Sequence, residues 1–253
     1  MLPFYGNLII MIRELKKLLL YTILFAVAAQ LKAQTCNPTA TFTYANDEGE
    51  QVTEELESYS GSAPVKVEFR ANPEDEEDCV ARYEWIIYET GNETNIIVHR
   101  FDENIEYTFL HSGSFTAELK ATFVEGADSL FYPAEGEDPV RFSISVSESH
   151  LEMPNAFSPG DNDDFNKIYK AKDNHKSIVE FKATIFNRWG QRLYSWNDIN
   201  GGWDGRYKGK IVPDGVYFVN VVAKGADGRV YHIRKDVNVL TKYTEMSGGG
   251  GEQ

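Results

Sequence analysis

Asp161, Asp163 and Asp164 place three carboxylates within four positions, between Gly160 and Phe165. Carboxylate oxygens in a turn are the ligands that a hard cation such as calcium takes. The spacing lacks the glycine and distal glutamate of an EF-hand loop. The same residues read as a turn whose Asp and Asn side chains bond their own backbone. Glu74, Asp75, Glu76, Glu77 and Asp78 offer calcium again, but a solvated, self-repelling loop is the preferred reading. His99, His111, His150, His175 and His232 are scattered without a close ligand pair, so zinc is not expected. Catalytic patterns are missing: there is no nucleophile elbow, zinc-protease helix or phosphate-binding glycine loop. Carboxylates are so plentiful that no pair points to glycoside hydrolysis. No catalytic residue is assigned, the chain is not expected to be an enzyme, and calcium is the only cofactor considered.

Short strands must position these groups. Val179, Phe181, Ala183 and Ile185 alternate with polar neighbours, the period of a half-buried strand. Asn187, Arg188, Trp189 and Gly190 then reverse the chain, and residues 192–196 return as the partner. Pro213, Asp214 and Gly215 form another turn. Residues 216–223 are dense in β-branched and aromatic side chains, and Asp227-Gly228 joins them to residues 230–240 as a hairpin. Trp189, Trp196 and Trp203 are expected to pack the core and turns of this small unit. The first half repeats the pattern. Val65, Val67 and Phe69 alternate, Trp85 is expected inside, and Phe115, Ala117, Leu119, Ala121 and Phe123 share one face of a long strand. About seven strands suggest a sandwich.

Arg13, Lys16 and Lys17 precede an apolar run over residues 18–29 that is too short for an ordinary span. With Ala33 at the presumed cut, residues 1–33 read as a signal peptide, with Met11 as an alternative start. No transmembrane span is then expected in the mature chain. Cys36 and Cys79 are the only cysteines and would reach an oxidising compartment, where one disulfide is the preferred reading. It would close a loop of about 40 residues and contribute about 3–4 kcal/mol. Residues 34–150 carry 25 acidic and 6 basic side chains, a balance of −19. Residues 151–253 carry 13 and 15, a balance of +2, so a boundary is expected near residue 150. So acidic a first half argues against nucleic acid as its partner. Residues 243–253 read as a disordered tail.

Four ordered motifs carry a resemblance. They are Pro154, Asn155, Ala156, Phe157, Ser158 and Pro159; Asn187, Arg188, Trp189 and Gly190; Trp203, Asp204 and Gly205; and Gly215 with Tyr217. Residues 151–242 thereby resemble the gliding motility-associated C-terminal domain, the type B sorting domain of type IX secretion in Bacteroidota. The family's longer opening loop is shortened here to residues 160–165. Residues 63–69, 83–85 and 112–121 resemble a PKD-like domain, although its usual turn after the tryptophan is replaced by Ile86, Ile87, Tyr88 and Glu89. The fold class expected is all-β: two consecutive immunoglobulin-like β-sandwich domains after a signal peptide. The resemblance implies a non-catalytic protein exported past the inner membrane to the cell surface or medium. It also implies the outer-membrane type IX machinery as partner, with the first domain as displayed cargo. An adhesive module binding an extracellular glycan or protein is the rival, with Tyr83, Tyr88 and Tyr107 as an exposed platform. A structural part of a surface apparatus is the third reading.

Overall fold

The computed structural model describes Lys16 and residues 34–46, 48–74, 79–160 and 166–240. Apart from Lys16, the expected leader lies outside the described residues, as do the tail, residues 75–78 of the acidic run, and the loop holding Asp161, Asp163 and Asp164. The described fold is all-β. Among the described residues no helix is long and apolar enough to cross a membrane.

The first half builds two sheets around one core. A short pair, β1 (Thr35–Cys36) with β6 (Pro73–Glu74), closes one end. One sheet contains β2 (Thr39–Ala45), β3 (Gln51–Glu55), β5 (Val65–Arg70) and β9 (Asn104–Phe109), in the order β3-β2-β5-β9. The other contains β4 (Ser58–Gly61), β7 (Val80–Glu89), β8 (Asn92–Arg100), β10 (Gly113–Glu125), β11 (Asp128–Tyr132) and β12 (Arg141–Val146). Its order is β4-β12-β10-β7-β8, and β11 pairs with the far end of β10. Two-residue alternation turns Val65, Val67 and Phe69 inward with no exposure, opposite Trp85, Leu119 and Phe142. Phe69 meets Trp85 at 5.4 Å and Phe142 at 5.7 Å between ring centroids. The indole N–H of Trp85 donates to the Glu103 carbonyl at 3.0 Å, so the buried ring leaves no polar group unmet. Full burial of one such side chain contributes about 1.5–3 kcal/mol. Strand β11 was not expected from sequence. Gly126, at φ +60°, lets β10 double back, and the exposed Leu130 and Phe131 give β11 no alternating signature.

The aromatic platform does not form as expected. Tyr83 is 8% exposed, because the inward face of β7 carries it into the core beside Trp85 and Ile87. Tyr88, 5% exposed, lies on the opposite face of the strand and donates its hydroxyl to the Glu118 carboxylate at 3.3 Å. Tyr107 is half-buried and packs edge-on against Phe109 at 4.8 Å.

The second half centres on one sheet. It contains β13 (Ala156–Phe157), β14 (Ile178–Phe186), β15 (Arg192–Trp196), β18 (Gly215–Gly225) and β19 (Val230–Val239), in the order β13-β19-β18-β14-β15. A ribbon of β16 (Arg206–Tyr207) and β17 (Lys210–Ile211) accompanies it. The inner face presents Ala183, Ile185, Val219, Val221, Val237 and Val239, and Leu151, Met153, Tyr169 and Trp203 from the connecting segments join the same core. Trp196 and Trp203 are buried, as expected. Trp189 is not: it is 80% exposed at the β14–β15 turn, where the strands have ended and no sheet face remains to cover it.

The two halves meet through buried atoms. Ala226, from the β18–β19 turn, belongs to the first half's core, and Val179 packs against that core. The Ser112 N–H donates to the Ala226 carbonyl at 3.1 Å, and the Ala226 N–H donates to the Ser177 carbonyl at 2.9 Å.

Candidate functional site

The opening motif is held as a parallel edge strand. Ala156 and Phe157 pair with Asn238 and Val239, and the Asn238 N–H donates to the Asn155 carbonyl at 2.9 Å. The Lys235 ammonium donates to the Met153 carbonyl at 2.8 Å and also bonds the Asn155 side chain. Phe157 turns inward and meets Tyr169 at 5.6 Å and Trp203 at 5.3 Å.

Trp203 is the hub. It has no exposure, its indole N–H donates to the Arg206 carbonyl at 2.9 Å, and its backbone exchanges two bonds with Tyr169. Its ring meets Tyr217 at 5.7 Å. The glycines beside it are required by space. A methyl on Gly205, already at φ +76°, would stand 2.5 Å from Pro159, and one on Gly202 would stand 2.7 Å from the Tyr169 carbonyl oxygen. The Asp204 carboxylate accepts from the Arg206 N–H at 3.0 Å and so shapes the next turn. Burial raises the Tyr169 phenol well above its ordinary pKa, and its hydroxyl donates to the Pro154 carbonyl at 3.0 Å. Tyr217 donates to the Pro213 carbonyl four residues upstream at 2.9 Å, pinning the turn that contains Gly215.

The Asn187 turn is built differently. Its side-chain oxygen accepts from the N–H groups of Trp189 and Gln191, each at 3.0 Å, and Gly190 adopts φ +76°. The turn is closed by its own hydrogen bonds, yet Arg188 and Trp189 project from it, the guanidinium carbon 5.3 Å from the indole centroid. Arg188 still reaches the hub electrostatically. Burial raises the Tyr217 phenol, and the Arg188 charge opposes part of that rise.

Four separated segments thus converge on one aromatic core while the Asn187 turn stands beyond it. Residues 151–232 match the CHU_C type IX secretion signal domain. No curated protein matches the chain in sequence. Among solved structures, the tetra-tandem repeat in the extending region of a large adhesion protein is 13% identical, at a TM-score of 0.27. That likeness covers 82% of this chain and 68% of the other. Dimeric latent PorU from Porphyromonas gingivalis is 14% identical at a TM-score of 0.24, over 81% of this chain and 20% of PorU. Drosophila N-cadherin EC1-4 is 14% identical at 0.21, over 83% of this chain and 60% of that one.

The domain that holds this match is fastened to the first half by residues that sequence reasoning did not assign to a joint. Ser177, buried at φ +47°, accepts from the Ala63 N–H at 3.1 Å and bonds the Ser147 hydroxyl at 2.9 Å. Asp227 accepts from the Ser149 hydroxyl at 2.7 Å and from the Ser149 N–H at 3.2 Å. Burial alone would raise this carboxyl, but hydrogen bonds from Ser149 and the Arg229 N–H hold it below its ordinary value. Beside the seam lies a cleft of about 530 Å³, lined among others by Lys66, Asp173, His175, Phe181 and Asn200. Burial there lowers the pKa of His175, against the opposing pull of its hydrogen bond with Asn200. The only sequence signal for the seam was the Asp227-Gly228 pair, which reads first as a turn.

Cys36 is buried in the first half's core and Cys79 is half-buried against it. Among the described residues no three His, Cys, Asp or Glu side chains gather into a group that could hold a metal ion. Asp161, Asp163 and Asp164 lie outside the described residues.

Proposed function

We propose that this chain is a non-catalytic cargo of type IX secretion. Its folded C-terminal domain is the address read by the outer-membrane export machinery, and a PKD-like domain is what the address delivers to the cell surface or medium. The observation that carries the reading is the convergence of Phe157, Trp203 and Tyr217 into one core within the segment that matches the secretion signal family. A signal assembled from distant segments works as a folded surface, so the domain must be folded when it is read. The first half supplies a two-sheet sandwich with a buried Trp85, which supports a display or interaction module. The same reading includes a Cys36–Cys79 disulfide in the exported protein. Intact mass before and after reduction tests that pairing.

The deciding experiment compares surface protease accessibility on intact native-host cells for the full chain and for a chain lacking residues 151–253. Digestion or release of the full chain, with the shortened chain kept in the periplasm, is the expected result. Equal protection of both would sink the export reading.

A further inference from the structure

The secretion signal domain has two poles. At one, Ser177, Ala226 and Asp227 bind the first half. Strand β14 runs nine residues away from that seam, about 30 Å at the rise of a strand, to the turn at Asn187. The far pole gathers exposed Arg188, Trp189, Arg192, Arg206, Lys208 and Lys210, against the carboxylates of Asp204 and Asp214. The Gln191 amide donates to the Tyr207 hydroxyl at 3.0 Å, tying the Asn187 turn to the β16–β17 ribbon, so the pole is one surface. Lys208 stands 5.4 Å over the Tyr207 ring.

Trp189 needs an explanation. Its motif neighbours Asn187 and Gly190 build the turn, whereas its own ring is 80% exposed and leaves the core to Trp203 and Trp196. A large ring held outward on a hydrogen-bonded turn and flanked by arginine has the composition of an interface hot spot. Preorganisation lowers the ordering cost of docking such a ring. We propose that the Arg188–Trp189 tip and the adjoining cationic ribbon form the docking pole for a protein partner, one with an apolar slot for the indole and a carboxylate rim. The inference rests on the export reading and assigns its contact surface. An anionic lipid surface fits less well, because Asp204 and Asp214 sit within the pole and a fluid interface needs no fixed turn. The pole also lies at the end of the domain opposite the seam, so the first half leaves it open.

The test is export of the full chain in native-host cells, with purified variants melted in parallel to verify folding. Trp189→Ala, and separately Arg188→Glu with Lys208→Glu, are expected to lower the surface-accessible fraction at least about ten-fold, the effect of losing one hot-spot contact. Their melting temperatures stay at the parent value, and Lys224→Glu, near the opposite pole, exports normally. Normal export of both pole variants, with the chain lacking residues 151–253 retained, overturns the docking pole and leaves the address reading intact. Normal export of the shortened chain overturns both. Sedimentation of the full chain with phosphatidylglycerol vesicles, abolished by Trp189→Ala, would move the contact to lipid and overturn the protein partner.

Discussion

The two halves use aromatic side chains differently. In the first, the inward rings of Phe69, Trp85 and Phe142 lie between two sheets that cover them completely. In the second there is one main sheet, so the connecting segments must supply the opposite wall, and Phe157, Tyr169 and Trp203 do so. A core walled by loops depends on turn geometry more than a core walled by strands does. That explains why glycine and proline recur in the secretion signal motifs, whereas alternation alone specifies most of the first core.

Substitutions can break this contrast. Trp203→Ala should lose about 3–5 kcal/mol, the cost of a large core cavity, and should abolish export as well. Trp85→Ala should lose a similar amount, and urea unfolding of each variant measures both. Gly205→Ala separates the halves more sharply. A single methyl meets Pro159 at 2.5 Å on a backbone at φ +76°, so a loss of about 1–3 kcal/mol is expected. An alanine at Gly91, where no atom lies within 4 Å, faces only its own φ of +84° and should cost less. Differential scanning calorimetry ranks the two.

At the seam, Ser177→Ala leaves the buried Ala63 N–H without its acceptor and should cost about 1–3 kcal/mol. Faster limited proteolysis near residue 148 would report the loosened joint. The seam also carries a pH signature. His175 is lowered in the fold, so on acidification the unfolded chain takes up its proton first, and stability falls with pH from the ordinary histidine value of about 6.5 down through the folded one. Asp227, also lowered, holds its contribution at neutral pH and loses it only as pH falls through its own folded value, in the carboxylate range. His175→Asn should flatten the upper part of the urea-stability profile and leave the lower part. The smallest expected effect on stability is that of Trp189→Ala, within about 0.5 kcal/mol, as for other exposed positions. A drop near that of Trp203→Ala would mean that the indole packs after all.

Local chemistry made much of the fold legible. Two-residue alternation marked β5 and β10 with their inward residues and β14 from Phe181 onward, while Val179, beside a register shift, packs against the first half's core. Asp227-Gly228 marked the longest hairpin. Strand β11 was missed because Leu130 and Phe131 face outward from an edge and leave no alternation to read. Tyr83 and Tyr88 were offered as surface rings, since a tyrosine suits either a wet face or a core and only the placement of β7 decides. Of the site residues, Asn187, Gly190 and Gly215 were legible as turn formers because their conformational freedom is a property of the residue itself.

Trp189 and Trp203 mark the limit. Both are tryptophans beside a glycine, yet one is 80% exposed and the other not at all. The chain's own chemistry determined that it forms strands, where it turns, and that its acidic and near-neutral halves differ, and the motifs of its last hundred residues resemble a secretion signal family. Only the tertiary structure decided which indole closes a core and which stands free. It alone also brought Ser147, Ser177 and Asp227 into the joint between the halves. Burial depends on which distant segment arrives to cover a side chain, and no local pattern contains that information.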